Sequence, residues 1–369
     1  MTTFPGLEHH PHARAMLIPA LPPDGHPSHA YLFRGPAGTG KRSVARAFAA
    51  ALLADGSDDP AGAAERARRG AHPDLSWIRP SGAAEMLVSD IDEPVIAAAA
   101  RTPFESARRV FVIEAAETMG DATANRLLKT LEEPAEYAHL ILLTDRPGDL
   151  LATISSRCQH VRFDPLPVAR LAARLEAEGA APETAEACAR LAMGDGEKAA
   201  ALAVGPGGRG LRAAAEGLAR AALKGEFGDR PWLPLLELAA NAGGRAAAAL
   251  ADGYREELEL AAKSERRRIE REQGERAKRA QRRAGTAALD LGLALVGLWY
   301  RDLAVLATGA PELIHSVDRR AELETDAEGR RPADLHRAVE LVEDTRARMA
   351  LNVTDELALE ALAYRIADG

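Results

Sequence analysis

Apolar residues recur through the first half of the chain as short runs set between longer amphipathic stretches. The runs are Ala30 to Phe33, Leu75-Ser76-Trp77-Ile78, Val110-Phe111-Val112-Ile113, Leu140-Ile141-Leu142-Leu143 and Val161-Arg162-Phe163, and each reads as a strand. Between them the pattern turns helical. Val44, Ala47, Phe48, Ala51 and Leu52 share one face, and helices are expected at about 91 to 101 and 121 to 133. In the last of these Asp121 offers a cap, Leu127, Leu128 and Leu131 make the buried face, and Pro134 stops the helix. Alternating strands and helices predict an α/β domain, a parallel sheet covered on both faces.

The flanks follow other patterns. Residues 5 to 20, with Leu7, Ala13, Met16 and Leu17, predict a short helix before a turn at Pro22-Pro23-Asp24-Gly25. Residues 54 to 72 are polar and helix-compatible. After Asp164-Pro165-Leu166-Pro167 the strands stop. Residues 168 to 204 read as a small helical unit, closed by the linker-like Gly205-Pro206-Gly207-Gly208-Arg209-Gly210. Beyond it the pattern is helical throughout, and Leu289 to Leu306 is apolar enough to form the heart of a further domain, with Arg301 and Asp302 as an ion pair. Trp299 suits that core better than it suits a base-stacking platform.

Composition sharpens this picture in a few places. A length of 369 residues calls for two or three domains, and the abundance of Ala favours helices. The net charge of -8 argues against a protein that coats a polyanion, although Lys263 to Arg283 carries ten basic against four acidic side chains. That stretch reads as a solvated helix face, with contact to DNA phosphate or an acidic partner as the alternative. No apolar run reaches the roughly 18 residues that span a bilayer, and the N-terminus lacks a signal-peptide pattern, so a cytoplasmic protein is expected. Cys158 and Cys188 are read as reduced thiols. His9, His10, His12, His26 and His29 are read as a solvated helix face, since the acidic or thiolate partners of a closed metal site are missing nearby; no metal is expected.

The stretch with the clearest chemistry is Gly35-Pro36-Ala37-Gly38-Thr39-Gly40-Lys41-Arg42-Ser43, entered from a strand and followed by a helix. Gly, four residues, Gly-Lys and then Ser or Thr make a phosphate cradle whose hydroxyl coordinates Mg²⁺. Here Arg42 stands at the hydroxyl position. The acid expected at the end of the strand 110 to 113 is Glu114, one methylene longer than Asp, and Ala115 follows where a water-activating Glu would be needed. Binding of ATP or ADP is left open, while hydrolysis should be close to absent. Thr144 ends an apolar strand, where its hydroxyl serves either a γ-phosphate or the strand end itself. Arg157, in Ser155-Ser156-Arg157-Cys158, suits a guanidinium directed at a phosphate held by another subunit, or else a surface ion pair.

Taken together, Gly35 to Lys41, His72-Pro73-Asp74-Leu75, Asn125-Arg126-Leu127-Leu128-Lys129-Thr130-Leu131-Glu132-Glu133-Pro134 and Ser156-Arg157-Cys158 resemble the bacterial DNA polymerase III clamp-loader family of AAA+ proteins. Trp299-Tyr300-Arg301-Asp302 and Leu351-Asn352-Val353 extend a weaker similarity, to the delta-prime branch, toward the C-terminus. The hydrolysing gamma/tau branch would carry Thr or Ser after the loop lysine and Asp-Glu at the strand end, so Arg42, Glu114 and Ala115 favour delta-prime. The resemblance implies an AAA+ RecA-like domain at 1–164, a small helical lid at 165–207 and a helical collar at 208–369. It implies gamma/tau, delta, the sliding clamp and primed DNA as partners, with Arg157 acting in trans on a neighbour's ATP. Lys198 stands where the family's sensor arginine is expected, as a point charge in place of a fork. The family's four-cysteine zinc module is not carried over, because no cysteine lies between Lys41 and His72. The competing readings are a free-standing AAA+ motor, gamma/tau-like or helicase-loader-like, and a nucleotide-dependent scaffold without an arginine role.

Overall fold

Five strands form one parallel sheet in a computed structural model of the chain, which describes residues 7, 9–82, 85–253, 263–349 and 354–368. They are β1 (Ala30–Arg34), β2 (Leu75–Ile78), β3 (Arg109–Ile113), β4 (Ala138–Thr144) and β5 (Gln159–Arg162), in the order β2-β3-β4-β1-β5. The central strands are apolar at nearly every position because helices cover both faces. Alternate residues divide between two cores. Tyr31, Phe33, Val112, Ile141 and Leu143 pack with Val44, Phe48 and Leu52 on one side; Leu32, Phe111, Ile113, Leu140 and Leu142 pack with Ile91, Leu127, Leu131 and Ile154 on the other. This is the expected α/β class, a parallel sheet covered on both faces.

The helices of this part are α1 (Pro11–Leu17), α2 (Lys41–Ala54), α3 (Pro60–Arg69), α4 (Ser89–Ile91), α5 (Asp121–Glu132) and α6 (Ala152–Ser155). Two local expectations need correction. The helix expected at 91 to 101 is α4 continued by a π-helical turn over Asp92–Ala97. Pro94 lies inside that turn; it has no N–H to give to an i→i−4 bond, and its ring crowds the preceding turn, so the backbone widens. The N-cap of α5 is Gly120 and not Asp121, which is the first helical residue and places its charge at the positive end of the helix.

By contacts the chain divides into two compact units, residues 1–166 with Gly194–Glu197 and residues 167–193 with 198–369. The second unit is helical: α7 (Val168–Ala177), α8 (Pro182–Leu191), most of α9 (Gly196–Ala203), α10 (Gly208–Lys224), α11 (Leu233–Gly253), α12 (Lys263–Ala307), α13 (Arg320–Ala327), α14 (Pro332–Met349) and α15 (Asp355–Ala367). The linker expected at 205 to 210 is shorter, because Gly208, Arg209 and Gly210 already belong to α10 after Gly207 turns left-handed. The 45-residue helix α12 packs against α10, α11, α13 and α14. Trp299 and Tyr300 are buried on it, and the Tyr300 hydroxyl donates to the Ala219 carbonyl at 2.9 Å. The expected Arg301–Asp302 pair forms at 3.0 Å, and buried Asp302 also accepts from the His315 and Ser316 backbone N–H groups. Burial opposes the Asp302 charge, and the His315 side chain, with the Ser316 and His315 backbone N–H groups, outweighs it and lowers its pKa. The basic stretch opens α12; side chains 263 to 269 and 272 lie outside the described residues, as do Leu351-Asn352-Val353. Among the described residues no helix is long and apolar enough to cross a membrane.

Candidate functional site

The loop between β1 and α2 has the shape of a phosphate cradle. Gly40 adopts φ 93° and caps α2, which starts at Lys41, so the N–H groups of Lys41, Arg42 and Ser43 have no acceptor within the helix. Such a helix start is an anion seat. What differs from a working cradle is where the cations go.

Lys41 is buried and turned back onto its own loop. Its ammonium donates to the Gly35 carbonyl at 2.5 Å and the Pro36 carbonyl at 2.6 Å, and pairs with Asp145 Oδ1 at 2.7 Å. Three donors meet three acceptors, so the charge that would reach outer phosphates is saturated within the chain. Asp145 was not among the residues singled out by pattern; it follows Thr144 at the carboxyl end of β4, the strand beside β1. The Thr144 hydroxyl serves the strand end, where it accepts from the Arg146 N–H at 3.2 Å. Thr39 donates to the Pro36 carbonyl at 2.9 Å and so closes the loop on itself.

Arg42, at the position of the metal-binding hydroxyl, is engaged by carboxylates of the chain itself. Its Nε donates to Glu114 Oε2 at 2.9 Å, and its Nη1 to Glu197 Oε1 at 2.7 Å. Glu114, buried at the end of β3, receives two further donors on Oε1: Trp77 Nε1 at 2.5 Å and Arg79 Nε at 3.1 Å. The Trp77 ring is covered in turn by the Arg46 guanidinium, 4.4 Å from its centroid. Burial disfavours the Arg42 charge, but Glu114 and Glu197 outweigh that and raise its pKa. A tethered guanidinium, at the sequence position of the metal-binding hydroxyl, thus bridges Glu114 and Glu197. Ala115, beside it, takes a left-handed φ of 51° and offers no group to activate water.

The segment Gly194–Glu197 closes over the loop. Gly38 has φ 67°, and a Cβ there would overlap the backbone nitrogens of Gly196 and Glu197 and a carboxylate oxygen of Asp195. An acidic side chain therefore lies against the middle of the cradle. His10, expected on a solvated face, is buried. Its Nδ1 accepts from the Asp164 N–H at 3.2 Å, which leaves Nε2–H to donate to the Thr39 carbonyl at 2.7 Å. His12 likewise accepts from the Arg162 N–H at 3.1 Å. Among the described residues no group of His, Cys, Asp and Glu could hold a metal ion.

The remaining candidates fall elsewhere. His72 and Asp74 of the His-Pro-Asp-Leu segment are structural: Asp74, fully buried, accepts from the backbone N–H groups of Phe104, Glu105 and Ser106 at 2.6 to 3.0 Å. Lys198 lies in the second unit and lines a cavity of about 220 Å³ with Met193, Leu295, Arg301 and Glu343. Arg157 follows α6, with about a third of its side chain exposed; its Nη1 donates to the Thr153 carbonyl at 3.0 Å and its Nη2 to Glu132 Oε1 at 2.5 Å. Cys158 beside it is buried, which pushes its thiol up to about 12.

Comparison with known proteins agrees with the residues at this site. The chain is 34% identical over 170 residues to DNA polymerase III subunit delta' of Bacillus subtilis (strain 168), covering 44% of this chain and 50% of that protein. It is 37% identical over 169 residues to subunit delta' of Pseudomonas aeruginosa, covering 44% and 51%. Subunit tau of Bacillus subtilis (strain 168) is 35% identical over 139 residues, which cover 37% of this chain and 24% of tau. The chain thus spans about half the length of the delta' relatives it matches. Residues 12–167, which hold the loop, Glu114 and Arg157, match the family described as DNA polymerase III, delta subunit.

Proposed function

We propose that the chain is a non-hydrolysing subunit of an assembly that loads a sliding clamp onto primed DNA. In it the chain stands beside ATP-hydrolysing gamma/tau-type subunits and a delta-type subunit, and directs Arg157 at the nucleotide of a neighbour. One observation carries the reading: the two cations of the cradle are engaged by the chain's own side chains, Lys41 by Asp145 and Arg42 by Glu114 and Glu197. A loop committed in this way has lost its metal hydroxyl and its water-activating acid together, and each of these losses raises the hydrolytic barrier. The helix start remains an anion seat, so ATP or ADP can be held there only in exchange for those internal pairs. The partition of the helical part into a lid at 165–207 and a collar at 208–369 belongs to the same proposal.

The test is reconstitution with the motor subunits. Purified alone, the chain should show no ATP turnover above background, with or without DNA. In the assembled complex, Arg157→Ala should leave assembly intact and lower the ATPase rate by about tenfold or more, as losses of trans-acting arginines do. Metal-dependent turnover by the isolated chain that Lys41→Ala abolishes would restore the autonomous-motor reading. Unchanged turnover in the Arg157→Ala complex would remove the trans role.

A further inference from the structure

The carboxylate that holds Arg157 is in an unfavourable place for its own helix. Glu132 is the last residue of α5 and Glu133 is its C-cap, so two acids sit where the helix end already carries partial negative charge. A cation is wanted there, and Arg157 supplies it: Nη2 meets Glu132 Oε1 at 2.5 Å while Nη1 is held by the Thr153 carbonyl at 3.0 Å. Both holding groups come from the same unit as Arg157, and about half of the Glu132 side chain is exposed.

We infer that Glu132 is a positioning residue that keeps Arg157 in reserve and surrenders it to the phosphate of a neighbouring subunit's nucleotide. The inference rests on the trans role proposed above for Arg157. Its physical core is an exchange of anions. With a carboxylate at 2.5 Å the guanidinium presents little net charge to a phosphate chain, and an approaching phosphate is repelled by Glu132 itself. The two anions therefore compete for one cation. A pair this exposed holds its arginine only weakly, so the hold diminishes the active fraction by about two- to fivefold, and no more. Hydrogen bonds from a guanidinium to a phosphate, made in a water-poor interface, are stronger and win once the nucleotide is in place.

The experiment uses the reconstituted complex with four forms of this subunit: wild type, Glu132→Gln, Arg157→Ala and the double variant. Glu132→Gln should raise the ATPase rate about two- to fivefold, and the double variant should match Arg157→Ala, because the gain acts through Arg157 alone. In the isolated subunit, the guanidinium ¹⁵N–¹H signals of Arg157 should show hindered rotation in wild type and free rotation in Glu132→Gln, a change that a merely structural acid would not produce. If Arg157→Ala lowers turnover while Glu132→Gln leaves it unchanged or lowers it, the reserve role of Glu132 is overturned and the trans arginine stands. If Arg157→Ala itself changes nothing, it is the trans role that fails.

Discussion

Replacing Arg42 by Ala should destabilise the first unit by about 2 kcal/mol, and the structure lets that figure be built from its parts. The Arg42–Glu114 contact joins a half-exposed guanidinium to a buried carboxylate at 2.9 Å. A hydrogen bond to a charged group is worth about 1.5 to 3 kcal/mol when buried. Here the lower end applies, because Arg42 is half in water and Glu114 keeps the Trp77 and Arg79 donors after the substitution. The Arg42–Glu197 contact at 2.7 Å joins two exposed side chains and adds about 0.5 kcal/mol. For a unit of this size 1 kcal/mol moves the midpoint by about 2 to 4 °C, so a fall of about 4 to 8 °C is expected. The assay is thermal unfolding of the full chain read by hydrogen exchange in peptides of β1, β3 and β4, which isolates the first unit. Peptides covering Gly194–Glu197 should lose protection in the same variant, because Arg42 is one of the groups that fasten this segment to the loop. Arg42→Thr should go further and give binding of a fluorescent ADP analogue a Mg²⁺ dependence that the wild type lacks, since it returns the hydroxyl that metal coordination requires. A midpoint within about 1 °C of wild type, with unchanged exchange at 194–197, would refute the view that Arg42 replaces a bound metal as the tie between these elements.

Other outcomes follow from the buried groups. Burial, with the nearby Arg108 and His29 charges, lowers the His139 pKa from 6.5 despite the opposing bond to the Ser28 carbonyl. The unfolded chain therefore takes up a proton before the folded one does, so stability is whole above about pH 6.5 and declines as pH falls below it. His72, lowered chiefly by burial, acts in the same sense. Urea midpoints should drop between about pH 7.5 and 5.5, and His139→Gln should flatten that slope; an equal slope in the variant contradicts the assignment. Cys158, at about 12, is thiolate to only about one part in 10⁴ at pH 8, so iodoacetamide should leave it unmodified in the folded chain and label it in urea.

Much of this unit is legible in the chain because its signals are local. Short apolar runs, a glycine loop entered from a strand and a helix that follows it are adjacent in sequence, and each became the expected element. The disagreements share a different character. His10 looked solvated among its polar neighbours, yet it is buried by bonds to Thr39 and Asp164, residues far from it in the chain. Asp145 is an ordinary acid after a strand until β4 is laid beside β1, which brings it to the Lys41 ammonium. The approach of Asp195 and Glu197 to Gly38 is likewise invisible in either segment read alone. Pro94 stands within the stretch expected as a helix, and the π turn is its consequence.

The most instructive case is Arg42 with Glu114. Along the chain they read as two independent losses, a hydroxyl replaced by a guanidinium and a metal ligand grown one methylene too long. In the fold they are one arrangement. Arg42 brings a planar fork whose Nε reaches Glu114 while its Nη1 reaches Glu197, and the longer acid spans from the end of β3 to that fork while its other oxygen keeps the Trp77 and Arg79 donors. The extra methylene that makes Glu114 a poor magnesium ligand is what lets it serve three donors at once. The pair should therefore be length-matched: Glu114→Asp, though closer to a working metal site, should destabilise the first unit while Arg42 is present, and should cost less when Arg42 is already Thr. A double-mutant cycle on the same unfolding assay reads this coupling directly. Strictly additive effects would mean that the two substitutions are separate losses after all.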